Sequence, residues 1–132
     1  MKTNDPNKLA LLESLKGGLI VSCQTQKDEP IYTEDMVVKM AECAKWGGAV
    51  GLRLNSPEQI RKVKEANLGL PIIGLYKVWH EDTDVFITPT MKEVDEIVAA
   101  GADIIAIDCT AQKTHEGTIA WDLLPQVRKK YP

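Results

Sequence analysis

Four short apolar runs punctuate the chain, at residues 18–23, 48–52, 71–75 and 102–107. Each is rich in Ile, Val and Leu, as a strand buried on both faces should be; none alternates between apolar and polar like a strand with one wet face. Between the runs the period changes. Met36, Met40 and Ala44 recur at helical spacing, as do Ile60 and Val63, and then Met91, Val94, Ile97 and Val98. The punctuation agrees with helices at these places. Ser56-Pro57-Glu58-Gln59 reads as an N-cap serine, a proline at the first helical position and a capping-box glutamine. Thr90 and Glu93 form a second capping-box pattern. Thr33, Glu34 and Asp35 place a cap and two carboxylates at a third helix start, where the helix dipole favours negative charge. Glycines at 47–48, 69 and 101 supply the left-handed turn that ends a helix before the next strand.

Two stretches read less simply. Residues 118–131 suggest a final helix that Pro125 should kink or delay. Residues 78–88 follow the third strand as a long functional loop, with a short extended segment at Val85-Phe86-Ile87. The predicted order is β-α-β-α-β-loop-α-β-α, which implies a parallel sheet with right-handed crossovers. That pattern suits an open doubly wound sheet or part of a closed (β/α) barrel. A full barrel needs at least ~200 residues, so 132 residues with four βα units make about half of one. Ser22-Cys23-Gln24-Thr25 after the first strand is neither a P-loop nor GxGxxG.

Composition narrows the partners. Apolar residues at 44% and charged residues at 27% exclude a disordered chain. The net charge of -3, with acids and bases interspersed, argues against nucleic acid as a partner. No apolar run approaches the ~20 residues of a membrane span, and residues 1–9 are polar, so the expectation is a cytoplasmic protein without membrane contact. Cys23, Cys43 and Cys109 show no CxxC spacing and read as reduced, buried thiols. His80 and His115 lie far apart in sequence, in polar loops, and suggest no metal site.

The most informative feature is what ends each strand. The first run closes in Gln24, the second in Arg53 with Asn55 beyond it, the third in Lys77 and the fourth in Asp108. Catalytic groups of parallel barrels sit at the C-terminal ends of strands, so an amide, a guanidinium, an amine and a carboxylate should converge on one rim. Spacing alone leaves other readings open. Asp108 and Gln24 can serve their own loops, Arg53 can be a surface cation or a structural partner of Asp108, and Lys77 can be an exposed lysine.

The chain resembles the N-acetylmannosamine-6-phosphate 2-epimerase family in five ordered blocks. They are LKGGLIVSCQ at 15–24, GGAVGLRLN at 47–55, LPIIGLYK at 70–77, FITPT at 86–90 and GADIIAID at 101–108. The resemblance implies an α/β fold, a partial (β/α)8 TIM barrel whose N-terminal half is residues 1–132. It implies interconversion of N-acetylmannosamine 6-phosphate and N-acetylglucosamine 6-phosphate by proton abstraction at C2, in sialic acid breakdown. It makes Lys77 the base and places Gln24, Arg53 and Asp108 where family members contact the sugar or position the lysine. It also implies a second acid/base, a glutamate on a later strand, and phosphate-binding loops after strands seven and eight, all beyond residue 132. Where family members commonly carry arginines after the aspartate, this chain reads CTAQKTH at 109–115. The chemistry needs no metal or organic cofactor. The expected partner is a phosphorylated amino sugar, with homodimer formation through exposed strand edges. Two other readings stay open: a truncated, non-catalytic half-barrel, and another sugar-phosphate isomerase or aldolase in which Lys77 forms a Schiff base.

Overall fold

A computed structural model describes residues 4–33 and 35–132. The chain opens with a helix that the apolar pattern does not announce, α1 (Pro6–Leu15). Its start is built from standard parts: Asp5 accepts the N–H of Asn7 at 2.9 Å, and proline occupies the first turn. No residue of α1 is buried, so no apolar stripe marks it. The order then follows the reading above: β1 (Ile20–Cys23), α2 (Met36–Trp46), β2 (Gly51–Asn55), α3 (Pro57–Glu65), β3 (Ile72–Leu75), α4 (Met91–Ala99), β4 (Ile104–Ile105), a 3-10 turn (Ala120–Asp122) and α5 (Leu123–Lys130).

The four strands form one parallel sheet in the order β1-β2-β3-β4, so β1 and β4 are its edges. Strand alternation gives the sheet two different faces. Cys23, Leu52, Leu54 and Ile72 face the helices and bury themselves against Val37 and Ala41 of α2, Ile60 and Val63 of α3, and Ile97 of α4. The other face carries Ile20 and Ser22 of β1, Gly51, Arg53 and Asn55 of β2, Ile73 and Leu75 of β3, and Ile104 of β4, by the registers Ser22↔Arg53, Arg53↔Ile73 and Ile73↔Ile104. This inner face is partly open: Ile20 is 38% exposed. Close packing of helices on the outer face depends on Gly74, where a Cβ would lie 2.6 Å from Ala102 Cβ and 2.9 Å from Ile60 Cδ1.

Several predicted details shift. The buried line of α2 runs through Val37 and Ala41, with Met40 and Ala44 only partly buried. Its N-cap is Asp35, whose side chain makes no cap bond, and the Thr33 carbonyl accepts the Met36 N–H at 3.1 Å. Glu34 lies outside the described residues. Pro125 sits within the first turn of α5, where its missing N–H costs nothing, and the 3-10 turn before it delays the helix start. β4 is two residues long rather than six, for a reason given below.

The capping box of α4 forms as read. The buried Glu93 carboxylate accepts the Thr90 N–H at 3.1 Å and the Thr90 hydroxyl, and Thr90 in turn accepts the Lys92 N–H at 3.3 Å. Thr90→Ala is therefore expected to cost about 1–2 kcal/mol, a lost cap plus a buried carboxylate short of one donor. Urea unfolding measures this; a midpoint equal to that of the unmodified chain refutes it.

Candidate active site

Each candidate residue lies in a strand or within three residues of its end, so the sheet sets its position. Gln24 lies one residue past β1 and hydrogen-bonds locally, its Nε2 donating to Ser22 Oγ at 2.7 Å. Arg53 lies inside β2, Lys77 two residues past β3, and Asp108 three past β4. Strand register puts Arg53 on the inner face, while Gln24, Lys77 and Asp108 lie beyond the last paired residues of their strands. All four are half-buried. Among the described residues no hydrogen bond or ion pair holds the side chain of Arg53, Lys77 or Asp108, so Arg53 is not the structural partner of Asp108.

The four groups do not share one level. Arg53 pairs with Ile73 and Ile73 with Ile104. Lys77 and Asp108 are each four residues further along, about 13 Å at ~3.3 Å per residue. Gln24, two residues past the Ser22 partner of Arg53, is intermediate. The four positions are thus staggered along the strand direction, with Arg53 lowest and Lys77 and Asp108 nearest the rim.

The backbone around Lys77 is strongly fixed. Its N–H donates to Asn55 Oδ1 at 2.9 Å, and Asn55 is buried. The chain then leaves β3 and returns: Val78 N–H donates to Phe86 O at 2.9 Å, Thr88 N–H to Tyr76 O at 2.8 Å, and Lys77 and Ile87 form an antiparallel bridge. The extended piece predicted at 85–87 is real, and it pairs directly with the strand end that carries Lys77. The Trp79 ring stacks on Phe86 with centroids 5.3 Å apart, fastening the turn. Asp108 is held from the other side of the same piece, its N–H donating to Ile87 O at 2.8 Å. Asn55 and Thr88 are thus site-building residues that strand-end reasoning underweighted; the one visible signal was their place in the GLRLN and FITPT blocks.

Lys77 also borders a cleft of about 660 Å³ on the C-terminal rim, with Asn55, Tyr76, Trp79, Gln59 and Arg61 among its walls. Gln24, Arg53 and Asp108 do not line it.

The thiols and imidazoles depart from expectation. Only Cys23 is buried; Cys43 and Cys109 are exposed, one on the far side of α2 from Ala41 and one past the end of β4. Burial, and then the nearby Cys43, push the Cys23 thiol up, which disfavours a nucleophilic thiolate there. His80 and His115, remote in sequence, meet in space, their rings stacked with centroids 3.6 Å apart. They join the loop after β3 to the loop after β4, beside a second tie in which the Thr83 hydroxyl donates to Lys113 O at 2.6 Å. Among the described residues no group of three or more His, Cys, Asp or Glu is placed to hold a metal ion.

Comparison with known proteins adds independent support for the family. Residues 37–131 match the family model NanE, described as "Putative N-acetylmannosamine-6-phosphate epimerase". A relative in Listeria monocytogenes serovar 1/2a (strain ATCC BAA-679 / EGD-e), named "Putative N-acetylmannosamine-6-phosphate 2-epimerase", is 45% identical over 123 residues, 93% of this chain and 52% of its own. One of the same name in Borrelia garinii subsp. bavariensis is 44% identical over 124 residues, 94% of this chain and 53% of its own. The solved structure of the N-acetylmannosamine-6-phosphate 2-epimerase from Clostridium perfringens superposes with a TM-score of 0.83 at 40% identity, covering 92% of this chain and 52% of that one. The chain spans about half the length of the curated relatives it matches.

Proposed function

The chain belongs to the N-acetylmannosamine-6-phosphate epimerase family, and on that premise we propose that residues 1–132 supply the N-terminal half of a (β/α)8 barrel that inverts C2 of N-acetylmannosamine 6-phosphate. In the open-chain sugar C2 stands beside an aldehyde, so removing its proton leaves an enolate. Lys77 takes that proton through its Nζ. Arg53 or Gln24 stabilises the charge that develops on the enolate oxygen, which is where preorganised donors lower the barrier most. Asp108 contacts the sugar or orients the lysine. A second acid/base, the glutamate that the family resemblance implies, returns a proton to the opposite face and yields N-acetylglucosamine 6-phosphate. The reaction calls for no cofactor.

The observation that carries this reading is the pairing of position with availability. Arg53 lies within β2 and Lys77 and Asp108 follow β3 and β4, and this cation, amine and carboxylate have no internal partner among the described residues. Charged groups half-buried without partners are costly unless a ligand uses them. The test is proton exchange: N-acetylmannosamine 6-phosphate incubated with the chain in deuterated water should gain deuterium at C2. Absence of any incorporation refutes catalysis by this chain and favours a second reading, a half-barrel without activity, which the coverage of about half of each relative supports.

The proposal extends to location and assembly. No helix among the described residues is long and apolar enough to cross a membrane, and a phosphorylated amino sugar, unable to diffuse through bilayers, is met in the cytoplasm. The unpaired edges of β1 and β4 and the open inner face are the surfaces through which two copies associate. Sedimentation is expected to give a dimer; a cooperatively melting monomer at high micromolar concentration overturns this part.

A further inference from the structure

The ends of β3 and β4 do not meet as a parallel ladder requires. The last direct rung is Ala106 N–H to Gly74 O, at 2.9 Å. Two-residue spacing sets what should follow: Tyr76 N–H to Ala106 O, then Asp108 N–H to Tyr76 O. Neither forms. The Thr88 hydroxyl takes both ends of the first missing rung, accepting from Tyr76 N–H at 3.0 Å and donating to Ala106 O at 2.7 Å. Residues 87 and 88 take both ends of the second: Thr88 N–H donates to Tyr76 O at 2.8 Å, and Ile87 O accepts Asp108 N–H at 2.8 Å. A short antiparallel piece is thereby interposed between the two strands, which is why β4 is so brief.

Thr88 bears the strain of this insertion. It is fully buried, 0% exposed, and has a φ of 50°, a left-handed backbone that β-branched residues rarely adopt. Such a residue persists only where its surroundings over-determine it, and here three polar groups do so: the Tyr76 N–H and carbonyl just past β3 and the Ala106 carbonyl just past β4. The consequence falls on the two rim residues. Neighbouring strands lie about 4.8 Å apart, so one interposed strand roughly doubles the separation of the chains bearing Lys77 and Asp108. The inserted residues keep the carboxylate from pairing directly with the lysine and open room between the two groups.

We propose that Thr88 is a positioning residue, the spacer that sets the separation of Lys77 from Asp108 at the rim; this rests on the proposed role of Lys77 as base. Its test uses Thr88→Val, which keeps the shape and removes the hydroxyl, and Thr88→Ser, which keeps the hydroxyl. In the Val variant the Tyr76 amide should exchange with solvent about tenfold faster or more, the size of one lost hydrogen bond. The side-chain NMR signals of Lys77 and Asp108 should both move, while Ser restores both signals and exchange. Where C2 exchange is measurable, kcat should fall about tenfold or more in the Val variant with KM within about twofold, an orientation effect. A folded Val variant with the unmodified Lys77 and Asp108 signals overturns the proposal, as does a Ser variant that behaves like Val. Should Val fail to fold, the unmodified chain decides: Tyr76 and Asp108 amides protected to the same degree as Ala106 support it, and loop-like exchange at either overturns it. These spectra are read whether or not the chain turns over substrate, so a silent exchange assay defeats only the catalytic reading.

Discussion

Lys77→Ala is expected to lower deuterium incorporation at C2 by about a thousandfold, in the middle of the range for losing a general base. The substitution spares what positions the residue. The bond from the residue 77 N–H to Asn55 Oδ1 is a backbone bond, and so are the ties of Val78 and Thr88 to Phe86 and Tyr76. None of them needs the lysine side chain, and no internal ion pair among the described residues is broken by its loss. The variant should therefore unfold at the same denaturant concentration as its parent while losing exchange. Lys77→Arg should be similarly inactive, since a guanidinium does not give up its proton in a protein. Exchange within tenfold of the parent in Lys77→Ala removes the lysine from the role of base and moves the search to the other candidate groups.

Leu54→Ala should have the largest effect on stability, about 3–4 kcal/mol within the usual range for a buried leucine. Leu54 is 0% exposed and lies in β2 with strands on both sides, paired to Cys23 and Gly74. Its side chain fills the outer layer where Ile60 and Val37 also pack. A central strand braced by two neighbours cannot move outward to close the void, so the cavity term stays near its full size. Domains of this size hold only about 5–15 kcal/mol in total, so the variant should lie near the edge of folding. Urea titration reads the shift directly, and a loss below about 1 kcal/mol shows that the helix layer collapses onto the gap.

What could be read in advance, and what could not, follows the range of the interactions involved. Caps are local, so Ser56-Pro57 and Thr90 with Glu93 were legible from a few residues, and both helices start where they indicate. The strand runs were legible because burial on both faces needs only contiguous apolar residues. α1 escaped because none of its residues is buried, although Leu15 packs against Gly51; Asp5 and Pro6 were its only marks. The six-residue apolar run at 102–107 suggested a long β4, but the pairing partner of its second half is decided by residues 87–88, which sit closer in sequence to β3. No periodicity in one segment reports that a loop will be inserted beside it. The same limit applies to His80 and His115, 35 positions apart in the numbering yet stacked. For the candidate site, strand ends named the residues, whereas the offset of Arg53 from Lys77 along the strands needed the register.

The distribution of the three cysteines has a practical consequence. With Cys23 sealed in the core and Cys43 and Cys109 open to solvent, maleimide dyes should attach at two sites without disturbing the interior. Cys109 adjoins Asp108 at the rim, whereas Cys43 rides on a helix behind the sheet. A fluorophore on the first reports what enters the mouth of the fold, and one on the second supplies a silent reference in the same molecule.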